Sequence, residues 1–320
     1  MTESTGNQKE VVIDIQDLTK DYKLGFVKKR SVRALDHLTL QVRRGEIFGF
    51  LGPNGAGKTT TLKLLMRLIF PTGGSARILG QPIDHVGTRS RIGYLPENPY
   101  FYDYLSGREL LRYTAALFSI PPRKAEDRAN ELIKLVGLDE EAAGRQLRKY
   151  SKGMLQRIGI AQALVNDPEI VFMDEPMSGL DPIGRREVRD LLLSLREQGK
   201  TVFFSSHILS DVELLCDRAG ILRRGSLVRS GSMQEMTENQ GANVEVIAVG
   251  LDISRVTAFL GSLDSVQSIV ESHNGIRLLL QDESSVDGAL SLIRQAGGRL
   301  VSVNPQRASL EDIFSGAEKG

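Results

Sequence analysis

Tryptophan is absent from this chain, and cysteine occurs once, at Cys216. A single thiol closes no internal disulfide, so the fold does not depend on an oxidising compartment. Cys216 stands in the amphipathic stretch Asp211 to Arg218, where it reads as a small buried apolar residue and not as a nucleophile. Long apolar runs are missing as well. Nothing approaches the roughly 18 apolar residues that a membrane-crossing helix requires. Met1 to Glu10 is polar, without the basic and then apolar segments of a secretory leader. An excess of either charge is also lacking: 41 Lys and Arg face 40 Asp and Glu, a formal net charge of +1. That balance gives no reason to expect a nucleic-acid or anionic-membrane footprint. These absences together lead to the expectation of a cytosolic protein.

What is present is enough for two domains in 320 residues. After a polar start that reads as disordered, strand patterns run over Val11 to Ile15 and Leu38 to Val42, with Lys23 to Arg33 expected as an exposed basic loop. Four later strands are nearly continuous apolar runs, as in a parallel sheet covered on both faces. Ile47 to Leu51 runs into Gly52 to Lys58, Ile92 to Leu95 into Glu97, Ile170 to Met173 into Asp174 and Glu175, and Thr201 to Ser206 into His207. Ligands of open α/β sheets bind beyond the carboxyl ends of the strands, so these polar strand ends point to one shared site.

Tyr104 to Ala163 turns helical, with apolar spacings of three and four in Gly107 to Phe118, Arg123 to Val136 and Ser151 to Val165. This reads as a helical subdomain, about 104–165, inserted in a cassette spanning 11–231. From 232 to 320 the order changes to strand Asn243 to Val249, helix Ile253 to Leu263, and a hairpin of Val266 to Glu271 and Ile276 to Leu280 turning at His273-Asn274-Gly275. Helix Ser285 to Gln295 and strand Arg299 to Val303 follow. That βαββαβ order predicts a small α+β ferredoxin-like domain without a catalytic cluster, His273 being a turn residue.

Gly52-Pro53-Asn54-Gly55-Ala56-Gly57-Lys58-Thr59 matches G-x-x-x-x-G-K-[ST]. An apolar strand precedes it and a helical pattern, Thr59 to Phe70, follows. The glycines let backbone N–H groups wrap phosphates, with the positive end of the helix behind them. Lys58 is expected to reach the β- and γ-phosphates, and the Thr59 hydroxyl to ligate Mg²⁺. Asp174 ends its strand as a Mg²⁺-directed acid does in phosphate-loop ATPases. Glu175 cannot point the same way as Asp174 along an extended chain, and is placed to take a proton from an attacking water.

On these residues the chain resembles the ATPase subunits of ABC transporters, from about Val11 to Gly231. The family's signature L-S-G-G-Q has its counterpart in Tyr150-Ser151-Lys152-Gly153-Met154. The resemblance implies that Ser151 and Gly153 contact the γ-phosphate held by an opposite subunit, whereas Lys152 and Met154 are departures. Ser178-Gly179-Leu180-Asp181 resembles the D-loop, which crosses between subunits. His207 resembles the switch histidine that orients the attacking water, and Tyr22 the aromatic that stacks on adenine. The nucleotide-holding set implied is Tyr22, Gly52 to Thr59 with the adjoining Thr60, Glu97, Ser151, Gly153 and Asp181. The catalytic set is Lys58, Glu175 and His207. Glu97 stands where the family has the glutamine of the Q-loop. An ionised Glu accepts but does not donate hydrogen bonds, so Glu97 suits Mg²⁺ or its waters, beside Thr59 and Asp174.

The resemblance implies ATP and Mg²⁺ as cofactors and a homodimer with two composite ATP sites. It also implies a separately encoded membrane permease docked near the aromatic loop Asn98 to Leu105, which would hold the chain on the cytoplasmic face. The tail Ala308 to Phe314 resembles exporter-type ATPases. Soluble relatives acting on nucleic acid or ribosomes carry coiled-coil insertions or two cassettes, and this chain has neither. A GTPase would need the N-K-x-D motif, which is absent.

Overall fold

The computed structural model describes residues 10–24, 30–238, 243–251, 266–272 and 275–306. It divides into two compact units, Met1–Ser232 and Met233–Gly320.

The first unit opens with two long antiparallel strands, β1 (Val11–Leu24) and β2 (Arg30–Arg43). Alternation buries Ile13 and Ile15 in β1. The next apolar residue, Leu18, comes three positions later, and a bulge absorbs the extra residue: the register shifts between Ile15 and Leu18, and Asp17 adopts φ +48°. With β4 (Gly73–Ile78) and β5 (Gln81–Pro82) these strands make an antiparallel sheet in the order β2-β1-β4-β5. The basic stretch Lys23 to Arg33 is therefore no simple loop. Its two ends extend the strands, with Lys23 paired to Ser31 and Asp21 to Arg33, while 25–29 lies outside the described residues. Pairing across the hairpin outweighs the polar composition that suggested a loop.

The second sheet is six-stranded: β3 (Ile47–Leu51), β6 (Ile92–Leu95), β7 (Ile170–Asp174), β8 (Thr201–Ser206), β9 (Arg218–Arg223) and β10 (Ser226–Ser232). Its order is β10-β9-β3-β8-β7-β6; β9 through β6 are parallel, and only the β10 edge is antiparallel. Every residue of β3, β7 and β8 is buried, which accounts for their unbroken apolar composition. Phe203 packs between Phe48, Phe50 and Phe172 with ring centroids 5.4–5.8 Å away, and ties the three central strands together.

Helix α1 (Lys58–Leu65) follows β3 and stops five residues short of the expected Phe70. Between β6 and β7 lie α2 (Gly107–Leu117), α3 (Pro122–Leu135), α4 (Glu140–Gly144) and α5 (Lys152–Ala163), the helical segment expected from the spacing. A capping box fixes the start of α2: the Glu109 amide donates to Ser106 Oγ and the Ser106 amide to Glu109 Oε2. Helix α6 (Pro182–Glu197) was not anticipated, although Val188, Leu191, Leu192 and Leu195 form its buried stripe. Helix α7 (Leu209–Leu215) leads from β8 to β9. Cys216 closes α7 in the core, where burial raises its thiol pKa, so it is the apolar filler its context implied.

The second unit contains α8 (Met233–Glu238), β11 (Asn243–Val249), β12 (Val266–Ser272), β13 (Gly275–Leu280), α9 (Val286–Gln295) and β14 (Arg299–Gln306). Its strands are all antiparallel in the order β12-β13-β11-β14, the ferredoxin-like arrangement. Val244, Val246, Ile276 and Leu278 pack with Ala289 and Ile293 of α9. The expected helix Ile253 to Leu263, most of the His273 turn and the tail Ala308 to Phe314 lie outside the described residues.

Candidate active site

The four strand ends singled out in the sequence lie side by side at the carboxyl end of the parallel strands β3, β8, β7 and β6. The loop after β3 is shaped by backbone contacts that only glycine permits. A Cβ at Gly52 would stand 2.5 Å from the Leu222 carbonyl oxygen, and one at Gly57, where φ is +112°, 2.6 Å from that of Ala34. Gly57 is also the N-cap of α1 and supplies no side-chain cap, so the first N–H groups of the helix stay free to meet an anion.

Lys58 folds back over this loop. Its Nζ donates to the Gly52 carbonyl at 2.6 Å and to that of Pro53 at 3.3 Å, and it pairs with Glu175 Oε1 at 3.2 Å. The other carboxylate oxygen of Glu175, Oε2, lies 2.8 Å from His207 Nδ1. The Lys58 and Glu175 side chains are 6% and 7% exposed, whereas His207 is 42% exposed and faces solvent. A charged pair this buried is held by being fully bonded.

Glu175 does not continue the strand. β7 ends at Asp174, and Glu175 takes φ +51°, so the divergence of the two carboxylates comes from a left-handed kink and not from strand alternation. Ser205, the register partner of Asp174 on β8, holds this kink. The Glu175 amide donates to Ser205 Oγ at 3.0 Å, and Ser205 Oγ donates to Asp174 Oδ1 at 2.6 Å. Ser205 was not among the expected site residues; its only sequence signal is a hydroxyl inside the apolar run before His207. Tyr94 of β6 borders Asp174, and burial together with that negative charge pushes its hydroxyl up to about 12.

A cavity of about 290 Å³ opens above the loop, lined by Ala34, Pro53 to Thr60, Glu97 and Glu175. Asp174 and His207 are outside this lining and connect to Glu175, Asp174 by way of Ser205 Oγ and His207 directly. Few oxygen donors gather there. The Thr59 hydroxyl and the carboxylates of Asp174 and Glu97 make a set suited to Mg²⁺ completed by phosphate oxygens and water, and less to an all-protein cage. No group of three or more His, Cys, Asp or Glu able to hold a metal occurs among the described residues.

The remaining expected residues lie away from this cavity. Ser151 caps α5 by accepting from the Met154 amide at 3.2 Å, and Asp181 caps α6 by accepting from the Gly184 amide at 3.0 Å. The two segments touch within the chain. Lys152 lies across Gly179, where an added Cβ would meet its Nζ at 1.9 Å, and the α-carbon of Gly153 faces Leu180. Tyr22 lies on β1, half-buried, with the Lys20 ammonium 5.1 Å from its ring centroid.

A sequence profile described as ABC transporter matches residues 35–178. An uncharacterised ABC transporter ATP-binding protein of Synechocystis sp. is 46% identical over 304 residues, covering 95% of this chain and 83% of that protein. This chain belongs to the ABC transporter ATP-binding family. Among further relatives of this ABC ATPase is the bacitracin transport ATP-binding protein BcrA of Bacillus licheniformis, 44% identical over 68% of each chain. Among solved structures, the dimer of a bacterial ABC transporter cassette aligns with TM-score 0.64 and 28% identity, over 69% of this chain and 98% of that one. A cassette dimer bound to ADP and Pi aligns with TM-score 0.62 and 26% identity, over 69% and 98%. The chain is thus an ATP-binding ATPase subunit.

Proposed function

We propose that two copies of this ABC ATPase close on two Mg-ATP, and that hydrolysis drives a separate membrane permease in export. The observation that carries this reading is the unbroken line Lys58–Glu175–His207 over the phosphate loop. In it, the loop amides and Lys58 bind the phosphates, with Thr59 and Thr60 at the start of α1. Bound Mg²⁺, held by the Thr59 hydroxyl and Asp174 with Glu97 at its waters, would offset charge between the phosphate oxygens. Glu175 accepts the proton of the attacking water, and His207, hydrogen-bonded to its other oxygen, orients it. Ser151, Gly153 and Asp181 line the face that meets the second copy, and Tyr22 stacks on adenine. The aligned cassette dimers support the sandwich, and a relative named for bacitracin transport supports the transport role.

No helix among the described residues is long and apolar enough to cross a membrane. In this reading the permease docks on an exposed aromatic patch. Tyr100 is 94% exposed, and Tyr102 and Tyr104 stand beside Tyr113, its ring edge-on to Tyr102 at 5.8 Å. An adjoining cavity of about 490 Å³ is lined by Met66, Leu68, Tyr100, Phe101 and Phe118. Exposed patches of this kind mark protein partners.

Glu175→Gln tests the reading. It keeps the shape and removes the basicity, so ATP still binds while turnover falls by about 10²- to 10⁴-fold. An ATP-dependent dimer should then accumulate in sedimentation. Turnover at the wild-type rate would return Glu175 to the role of a structural carboxylate.

A further inference from the structure

Two helices issue from this site, α6 from the loop containing Asp181 and α7 from just beyond His207, and they pack against each other. Asp211 stands on α7 four residues after His207 and is 5% exposed. Its Oδ2 has no hydrogen-bond partner among the described residues, and neither has the buried Nε of Arg185 on α6. An unpaired carboxylate oxygen and an unpaired guanidinium nitrogen are among the groups least tolerant of burial. The charges around Asp211 are Arg185 and Arg189 from α6, His207 from the end of β8 and Glu175 from the end of β7. Burial lifts the Asp211 carboxyl above its ordinary range, and Arg185 is the strongest influence against that lift. A buried carboxylate and a half-buried guanidinium on packed helices, each with an unused buried atom, describe a contact that this arrangement of the chain does not make.

We propose that Asp211 is a positioning residue: it pairs with Arg185 when nucleotide draws in the loop that starts α6, and through α7 this pairing keeps His207 on Glu175 as nucleotide takes up Lys58. This inference rests on the reading of His207 and Glu175 given above. Asp181 caps α6 one turn before Arg185, so a movement of that loop reaches Arg185 through a single helical turn. Asp211 lies in the first turn of α7, and His207, whose ring contacts Glu175, stands two residues before that helix begins. A pair linking the first turn of α6 to the first turn of α7 would give the loop and the histidine a common element, as coupling between them requires. Neither residue reaches the phosphate loop cavity, so ATP binding should not depend on the pair.

The test is a double-mutant cycle on the full-length ATPase, measuring kcat, KM and direct ATP binding. Asp211→Asn should lower kcat by roughly 10- to 100-fold, the usual cost of a misplaced catalytic group, with KM and ATP affinity unchanged. Asp211→Glu should recover part of the rate, and Arg185→Gln should reproduce the loss. In a His207→Ala background, adding Asp211→Asn should change the residual rate by less than about twofold, because the pair acts only through the histidine. Full additivity of the two losses, or an unaffected kcat in either single variant, overturns the proposal. If Asp211→Asn does not fold, Arg185→Gln decides alone: a wild-type kcat rejects the pairing, and a kcat-only loss absent from the His207→Ala background supports it. Wild-type turnover by His207→Ala itself would instead refute the underlying reading of the site.

Discussion

Lys58 Nζ lies 3.2 Å from Glu175 Oε1, so the cation proposed to meet the phosphates and the base proposed to activate water form one ion pair. Lys58→Ala removes a charge-assisted contact of about 1.5–3 kcal/mol, equivalent to a loss of ATP affinity of roughly 10- to 150-fold. Equilibrium binding of a fluorescent ATP analogue measures it. Equal affinity of the variant and the parent would contradict the assignment of the loop.

A second prediction concerns the opposite end of the sheet. Arg91 Nε donates to Glu169 Oε1 at 2.5 Å and Arg44 to Oε2 at 2.8 Å, and these guanidinium groups hold the Glu169 carboxyl down at about 2. A depressed carboxylate contributes stability that is full above its unfolded value and is lost as pH falls through its folded value. Glu169→Gln should therefore cost about 1 kcal/mol at pH 7, after discount for solvent screening of this partly exposed network. The cost should shrink between the ordinary carboxylate value of 4.5 and about 2. Urea melts of both proteins at several pH values check this, and a pH-independent difference would rule out the charge as its origin.

The residues lining the cavity over the phosphate loop, the proposed nucleotide site, all belong to the first compact unit. A chain ending after Ser232 should accordingly bind ATP with an affinity within about twofold of the parent, as for independent sites. Calorimetry on the folded truncated cassette decides the point. Loss of binding there would assign the second unit a part in the site.

Photo-crosslinkers at Tyr100 or Tyr102 should capture a multi-spanning membrane protein from native membranes, identified by mass spectrometry. Tyr100 is almost wholly solvent-exposed, so the probe itself leaves the fold undisturbed. Capture of soluble proteins or RNA alone would count against the permease and favour a soluble ATPase.

Much of this was legible in the chain itself. The loop Gly52 to Thr59 announces its strand, its turn and its helix, because glycine, lysine and threonine at that spacing have one well-matched use. The parallel strands are readable because burial on both faces removes polar residues from them. The antiparallel sheet around β1 was only partly readable. Its bulge at Asp17 breaks the alternation of two, and the basic composition of Lys23 to Arg33 hides strand ends that hairpin pairing supports.

By itself the sequence determined which chemical groups exist and which strand ends they occupy: Lys58 after β3, Glu97 after β6, Asp174 and Glu175 after β7, and His207 after β8. Local pattern suffices for that, since periodicity and glycine spacing are properties of adjacent residues. Tertiary structure decided how the groups are aimed. The parallel register that sets Asp174 opposite Ser205 joins residues 31 apart, and that hydroxyl carries both the Asp174 carboxylate and the kinked Glu175 amide. The left-handed φ of Glu175 and the placement of Asp211 near the charges of α6 likewise depend on packing between distant segments. Such partners are chosen by long-range burial and hydrogen-bond satisfaction, and no residue carries a local mark of the neighbour it will meet.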